Sequence, residues 1–332
     1  MDKKDVQIFV LRPQNSFLVE NKFDFSESLS GLSLGGWIKS ATDDNIRFLD
    51  FHSSDNILLR IKPYLSTKKY VLILYIDTPL IVTDLVNQII DYFRDKKIDA
   101  AKFNRGYIFE SEFIKNNGNI ENIEEIKIDT DLFTVVKDEL SLSFVSQKIS
   151  ERIINKHLNN GVKIICRNTV KIDARVRINK NAKIYPNNIL SGDSFIKEDV
   201  VLYPMNYIKN SAIMAGATVS GSTIENSIIK ESSKVGPFSY IRDRSVIGQN
   251  TVIQRSEVSS SEIGDGNSIY FSYIEESKVL RDVMVYSGSK IKKSSIVESN
   301  CIIGENSYIS STKINENSSV EVGSIIVNGQ KK

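Results

Sequence analysis

From about residue 165 onward an aliphatic side chain recurs at nearly every sixth position, and few folds can accommodate that spacing. The row runs Ile172, Ile178, Ile184, Ile196, Leu202, Ile208, Ile213, Val219, Ile224, Ile229, Val235, Ile241, Ile247 and Ile253. It continues through Ile263, Ile269, Ile274, Val285, Ile291, Ile296, Ile302, Ile309, Ile314 and Val320. An amphipathic helix would step by three and four, and a half-buried strand would alternate. A step of six, with occasional fives, suits a solenoid of short strands. Each six makes one flat face, and three faces make a coil of roughly 18 residues. The tetrads between them, such as Gly264-Asp265-Gly266-Asn267 and Gly304-Glu305-Asn306-Ser307, supply tight corners, because Gly and Asn tolerate positive φ. The span from Thr169 to Asn328 holds roughly nine coils.

The first half has a different grammar and reads as α/β. Tyr70 to Ile76 is an unbroken run of β-formers, the pattern of a parallel strand buried on both faces. It ends at Asp77-Thr78-Pro79. A helix is predicted next, with Thr83 as N-cap, Asp84 at the positive dipole end, and Leu85, Ile89, Ile90 and Phe93 on one face. Tyr107-Ile108-Phe109 reads as a further strand after Asn104-Arg105-Gly106. Residues 116–131 are acidic and turn-rich and read as an exposed excursion. Val145, Ile149, Ile153 and Leu158 mark a helix that stops at Asn160-Gly161. The expected organisation is a truncated α/β domain over 1–145, a linker helix over 146–165 and an all-β solenoid over 166–332.

Composition removes several classes of function. The 43 basic and 41 acidic residues leave a net charge of +2, too little to expect a nucleic-acid polyanion as partner. No stretch approaches the ~20 apolar residues of a membrane span, and no secretory segment is apparent. Two cysteines, Cys166 and Cys301, are too few for a disulfide framework, which fits a reducing, cytoplasmic setting. With only His52 and His157 present, a His-rich metal cage is excluded. His157 reads as solvated or interfacial, and Cys301, in the aliphatic register, as a small buried hydrophobe.

Chemistry-bearing candidates are few. Asp77 lies just beyond a strand's carboxyl end, where α/β sheets bind ligands, and a carboxylate there can hold Mg²⁺ and through it a phosphate. No phosphate-binding glycine motif occurs. The cluster Gly31, Gly35, Gly36 with Lys39 reads as a surface turn. On the solenoid the exposed candidates are Arg242, Arg244, Arg255, Tyr270 and Tyr273, since an arginine can hold a phosphate bidentately.

Several stretches together resemble one family, the bifunctional enzyme that makes UDP-N-acetylglucosamine by uridylyl transfer in one domain and acetyl transfer to glucosamine-1-phosphate in the other. They are Ile154-Asn-Lys-His-Leu-Asn-Asn-Gly-Val162, Lys171-Ile-Asp-Ala174, Lys183-Ile-Tyr-Pro186, Val235-Gly-Pro-Phe-Ser-Tyr-Ile-Arg242 and Ser272-Tyr-Ile274. Leu74-Tyr-Ile-Asp-Thr-Pro-Leu80 is similar to the family's metal-site segment. The resemblance implies a nucleotidyltransferase-like, Rossmann-type sheet followed by a left-handed parallel β-helix of hexapeptide repeats, assembled as a homotrimer. It implies that Arg242 contacts a sugar phosphate, that Tyr273 contacts substrate and that Asp77 ligates Mg²⁺.

The departures fall on the chemistry. MDKKDVQIFVLRPQNSF stands where the family has a glycine-rich nucleotide loop. The family's second metal ligand falls at Lys137, beside Asp138, and an ammonium there would repel Mg²⁺. The general-base histidine falls at Tyr270, and tyrosine, with a reference pKa near ~10, is a poor base. A phosphate-binding lysine falls at Ser259. A substrate loop and the segment that helps hold acetyl-CoA have no counterpart, so acetyl-CoA binding is doubtful. Three readings follow: a degenerate trimer that binds a sugar phosphate, nucleotide sugar or protein partner; an active nucleotidyl- or acyltransferase with altered chemistry; and a purely structural interaction solenoid.

Overall fold

The structure is a computed structural model and describes residues 5–14, 29–42, 46–52, 54–116 and 118–331. Of the MDKKDVQIFVLRPQNSF stretch, residues 1–4 and 15–17 lie outside the described ones. The chain divides into two compact units, Met1–Ile149 and Ser150–Lys332.

The first unit is built on a mixed sheet. Its elements are β1 (Val6–Pro13), α1 (Leu34–Thr42), β2 (Ile46–Phe51), α2 (Ile57–Ile61), β3 (Tyr70–Tyr75), α3 (Thr83–Lys96), β4 (Ala100–Phe103), β5 (Gly106–Glu110), α4 (Ser111–Lys115) and β6 (Glu124–Ile126). The strand order is β2-β1-β3-β5-β4-β6. β3 runs parallel to β1 and antiparallel to β5. As expected of an unbroken apolar run, β3 is buried on both faces. Val71, Ile73 and Tyr75 join Phe9, Leu11 and the α2 residues Ile57, Leu58 and Ile61 in one core cluster. Leu72, Leu74 and Ile76 are equally buried. At about 1.5–3 kcal/mol per buried large aliphatic side chain, this strand anchors the unit.

Four local expectations change here. The sheet is not wholly parallel, because only Asn104 and Arg105 separate β4 from β5, and a connection that short can join only antiparallel strands. Gly106 permits the hairpin to sit where it does. A Cβ there would overlap the Ile73 carbonyl and the Phe103 ring. Thr83 is the first residue of α3 rather than its cap; Val82 holds the cap position without a side-chain bond. Gly35 and Gly36 are inside α1, not in a surface turn. A Cβ at Gly35 would come within 3.1 Å of the Phe48 ring, so the glycine permits close approach of helix to sheet. The excursion over 116–131, largely exposed, contributes β6 as an edge strand parallel to β4.

α5 (Glu139–Asn159) follows. Asp138 starts it: its carboxylate accepts from Ser141 N at 2.7 Å while its own N–H donates to Ser141 Oγ at 3.0 Å. Val145, Ile149 and Ile153 are buried as the periodicity predicts, and Leu158 is half-buried. His157 is buried, not solvated.

The second unit is a parallel β-solenoid of about nine turns. Its three faces carry ten, eleven and nine strands. They begin in chain order with Lys163–Ile164, Lys171–Ile172 and Arg177–Ile178. On the second face Leu190, Ile208, Ile224, Ile241, Val258, Ile274, Ile291 and Ile309 stack inward, all within 1% of full burial. The inward row departs from expectation at two places. Val297 and Ile303 point in, whereas Ile296 and Ile302 are 37% and 46% exposed. The step of six from Ile291 runs through Val297 and Ile303 to Ile309, and the adjacent isoleucines masked it. Coils are not uniform. Ile189 pairs with Tyr207, Tyr207 with Thr223 and Thr223 with Tyr240, steps of 18, 16 and 17 residues.

The corners are held by buried side-chain ladders. Between the first and second faces, Ser222 N donates to Asn206 Oδ1, Ser239 N to Ser222 Oγ, Ser256 N to Ser239 Oγ and Ser272 N to Ser256 Oγ, at 3.0 to 3.5 Å. Ser194, Ser211, Ser227, Ser245, Ser261 and Ser277 line the next corner, and Ser233, Thr251 and Asn267 part of the third. A corner amide has left the sheet and has no backbone partner, so the previous coil's hydroxyl supplies one.

Candidate functional site

Two of the residues singled out on the solenoid, Arg242 and Tyr273, lie on one stretch of its second face. Three strands in successive coils carry it: Tyr240–Arg242, Glu257–Ser259 and Tyr273–Glu275. Tyr240 registers with Glu257 and Glu257 with Tyr273; Arg242 registers with Ser259 and Ser259 with Glu275. Lys292, registered with Ser310, sits one coil further on. Side chains flanking each inward aliphatic residue point outward, so Arg242 and Tyr273 share one surface.

This surface satisfies itself. The Arg242 guanidinium donates to Glu257 Oε1 from Nη2 at 2.9 Å and also pairs with Asp243. The bond to Glu257, with Asp243 adding charge, raises the pKa of Arg242. Asp243 also accepts from Ser259 Oγ at 2.7 Å. Tyr240 donates to Glu225 at 2.8 Å, and that bond raises its pKa. Lys292 pairs with Glu275 at 3.4 Å and lies 4.4 Å above the Tyr273 ring. Partial burial, then a hydrogen bond to Glu275, raises Tyr273. A phosphate approaching Arg242 meets two carboxylates already in place.

Tyr270 is elsewhere. It ends a first-face strand, Ser268–Tyr270, registered with Gln254, so a corner separates it from Arg242 and Tyr273. That corner is apolar and strained. Met205, Phe238 and Phe271 occupy it at φ of 68°, 56° and 46°, and are 69%, 72% and 58% exposed. Bulky residues rarely adopt positive φ. Arg255 shares the corner, also at positive φ, while Arg244 holds the same conformation between the second and third faces. Cys301 is buried, as expected for its register.

In the first unit Asp77 is buried beyond β3, and Arg105 holds both of its oxygens. Arg105 Nη2 lies 2.6 Å from Oδ2 and Nε 3.3 Å from Oδ1. The Asp77 carbonyl accepts from Val136 N at 2.8 Å, which brings the neighbouring Lys137 to this strand end with its side chain exposed. Among the described residues no group of three or more His, Cys, Asp or Glu could hold a metal. Mg²⁺ requires an oxygen-rich shell. Asp77, the expected Mg²⁺ ligand, thus has both carboxylate oxygens held by Arg105.

Glu257, Asp243, Glu275 and Lys292 were not singled out from the sequence. Apart from the adjacent Arg242–Asp243 pair, their partners lie 15 to 17 positions away, a distance that means contact only once the coil length is known. Arg105 was passed over as a turn residue. Its place next to a glycine that starts a strand, opposite the Asp77 strand, was the available signal.

The fold defines the chain as a hexapeptide-repeat β-solenoid protein with an α/β unit before the solenoid. Residues 167–263 match the family model described as the GMPPB C-terminal domain. The chain is 39% identical over 83 residues to the bifunctional protein GlmU of Clostridium kluyveri, covering 25% of this chain and 18% of that one. It is 35% identical over 117 residues to GlmU of a Geobacillus species, covering 35% and 25%. The UDP-N-acetylglucosamine acyltransferase of Arabidopsis overlays 50% of this chain and 69% of its own at 12% identity, with a TM-score of 0.31. The matched segments thus span a quarter or less of the length of these GlmU relatives. In particular, the chain is similar to GlmU proteins over a quarter to about a third of its own length. No helix among the described residues is long and apolar enough to cross a membrane.

Proposed function

We propose that this chain is a GlmU-like homotrimer that catalyses neither parent reaction and acts instead as a binding or scaffolding protein in nucleotide-sugar metabolism. One observation carries this reading. Arg242, matched to the family's sugar-phosphate contact, is closed by Glu257 and Asp243, while Tyr270 stands at the base position across a corner. General-base catalysis contributes ~10²–10⁴-fold, and a tyrosine stands where the family has its histidine base. Two unpaired thiols, Cys166 and Cys301, fit a cytoplasmic setting. The exposed Met205, Phe238 and Phe271 suit a surface where copies meet.

The experiment is a pair of turnover assays, uridylyl transfer to N-acetylglucosamine-1-phosphate and acetyl transfer to glucosamine-1-phosphate. They run beside a thermal-shift screen with both sugar phosphates, UDP-N-acetylglucosamine, UTP and acetyl-CoA. Wild type shows no turnover above background. Glu257→Gln, which releases Arg242, gains a thermal shift with glucosamine-1-phosphate; ligand at 100 times its Kd stabilises by about 2.7 kcal/mol. Robust wild-type acetyl transfer lost in Arg242→Ala overturns the proposal. It would favour the second reading, in which the substrate's own amine serves as base and Arg242 and Tyr273, sharing one face, still seat the sugar.

A further inference from the structure

We infer that Arg105 is a built-in replacement for a divalent metal: the first unit carries its own cation at the end of β3 and takes no metal there. This concerns the first unit alone and goes beyond the proposal above, which rests on the solenoid.

The argument begins with charge. Asp77 is a carboxylate with its side chain 3% exposed, and a buried anion needs a counter-charge. A protein can supply one from solution, as a metal, or from its own chain. Here it comes from the chain. The guanidinium spans both carboxylate oxygens, at 2.6 and 3.3 Å, a two-point contact that satisfies the anion with one neighbour. The other side of the guanidinium rests on the Tyr75 ring, 4.2 Å from its centroid.

The placement is enforced by the fold. Arg105 occupies the two-residue connection between β4 and β5, so its backbone cannot drift from the strand ends. Gly106, packed on the Ile73 carbonyl, brings that connection down onto β3, whose continuation carries Asp77. Tyr75 ends β3 and Asp77 sits in the turn that follows it, and Arg105 bridges the two.

The surroundings leave no alternative cation. A divalent ion at Asp77 would have to expel Arg105 from both oxygens. It would then find, among the described residues, no group of three or more His, Cys, Asp or Glu, and it would meet Lys137 one residue from the Val136 amide that binds the Asp77 carbonyl. Any anionic ligand at this strand end therefore meets a guanidinium directly rather than through a metal bridge.

The only tryptophan, Trp37, is buried in the first unit, so its fluorescence reports unfolding of that unit within the full chain. Melts followed at Trp37 compare wild type, Asp77→Asn, Arg105→Met and the double variant, each in EDTA, Mg²⁺ or Mn²⁺, with Mn²⁺ binding read independently by electron paramagnetic resonance. Wild type has the same midpoint in all three conditions and binds no Mn²⁺ through Asp77. Asp77→Asn leaves a partly buried guanidinium without its anion and lowers the midpoint by on the order of 10 °C. The double variant, with a methionine over Tyr75, recovers at least half of that loss. Should Asp77→Asn fail to fold, a folded double variant still reports the coupling, and wild type still reports the metal. An Asp77-dependent rise in the wild-type midpoint with Mg²⁺ or Mn²⁺, Mn²⁺ bound by wild type but not by Asp77→Asn, or an unchanged midpoint in Asp77→Asn overturns the inference. These readouts involve no turnover, so they stand or fall separately from the solenoid's assignment.

Discussion

His157 shows what burial does to a side chain whose neighbours cannot answer it. It lies in the last turn of α5, 5% exposed, and its Nδ1 is buried without a hydrogen-bond partner. Burial first, and the charge of Lys156 second, lower its pKa. The unfolded chain titrates near the ordinary value of about 6.5, so the neutral ring's contribution is fully present above that pH. It is lost as pH falls through the depressed folded value. His157→Leu is accordingly expected to melt at least as high as wild type at neutral pH and to lose less stability on acidification. Melts at neutral pH and about one unit below the histidine range check it; equal acid sensitivity would refute the account. Burial of this residue was not legible in the sequence, because the helical pattern marked Leu158 as the apolar position and left its neighbour to solvent. Tyr75 is governed by the same physics with the opposite sign. Burial, assisted by Tyr107, pushes its hydroxyl up to about 12. Arg105 opposes that rise without reversing it.

At the scale of elements, the six-residue step made the strands of the solenoid legible one by one, since Ile241, Ile247 and Ile253 could face inward in no other regular structure. What the step could not reveal was the corner ladder. Ser239, Ser256 and Ser272 read as ordinary turn residues, for serine favours turns whether or not it is buried. Only the stacking of coils shows that each hydroxyl accepts the next coil's amide. Ser256→Ala removes the acceptor of Ser272 N and the donor to the Gln254 carbonyl at 2.7 Å, leaving an amide buried and unpaired. The expected loss is about 1–3 kcal/mol, measured by urea unfolding followed at the solenoid. Ser256→Thr, which keeps the hydroxyl, loses less. Equal stability of Ser256→Ala and wild type would mean that the ladder is incidental. In the first unit the apolar run of β3 and the strand at Tyr107–Phe109 were equally legible, but their antiparallel pairing was not: the hairpin depends on Gly106, whose close approach to Ile73 leaves no mark in hydropathy.

Along the whole solenoid, one corner carries three bulky apolar side chains exposed to solvent. Met205, Phe238 and Phe271 lie on alternate levels of the corner between the first two faces, with Gly221 and Arg255 between them, and each accepts a left-handed backbone to stand there. Strain of that kind costs of order 1–3 kcal/mol per residue and persists where something else compensates it. Burial against further copies of the chain would do so. If the proposed trimer closes over this edge, Phe238→Glu and Phe271→Glu shift the mass seen by multi-angle light scattering from trimer to monomer while leaving the β-sheet circular dichroism intact. A monomeric wild type, or a charged variant that stays trimeric, would remove this edge from the assembly. The candidate site was less legible than the architecture for a reason of scale. Arg242 and Tyr273 could be named in advance, whereas the engagement of Arg242 with Glu257 and of Tyr273 with Lys292 exists only between coils.

The unequal coils have a consequence for how such a chain can change over time. Steps of 16, 17 and 18 residues deliver the same inward aliphatic positions, so the spare residues are absorbed at corners, where the ladder still finds its amide. A small insertion or deletion at a corner shifts nothing on the faces, and removal of one full repeat brings equivalent edges together. Lineages can thus lengthen or shorten this rod in whole turns or single residues while every surviving turn keeps its neighbours' company.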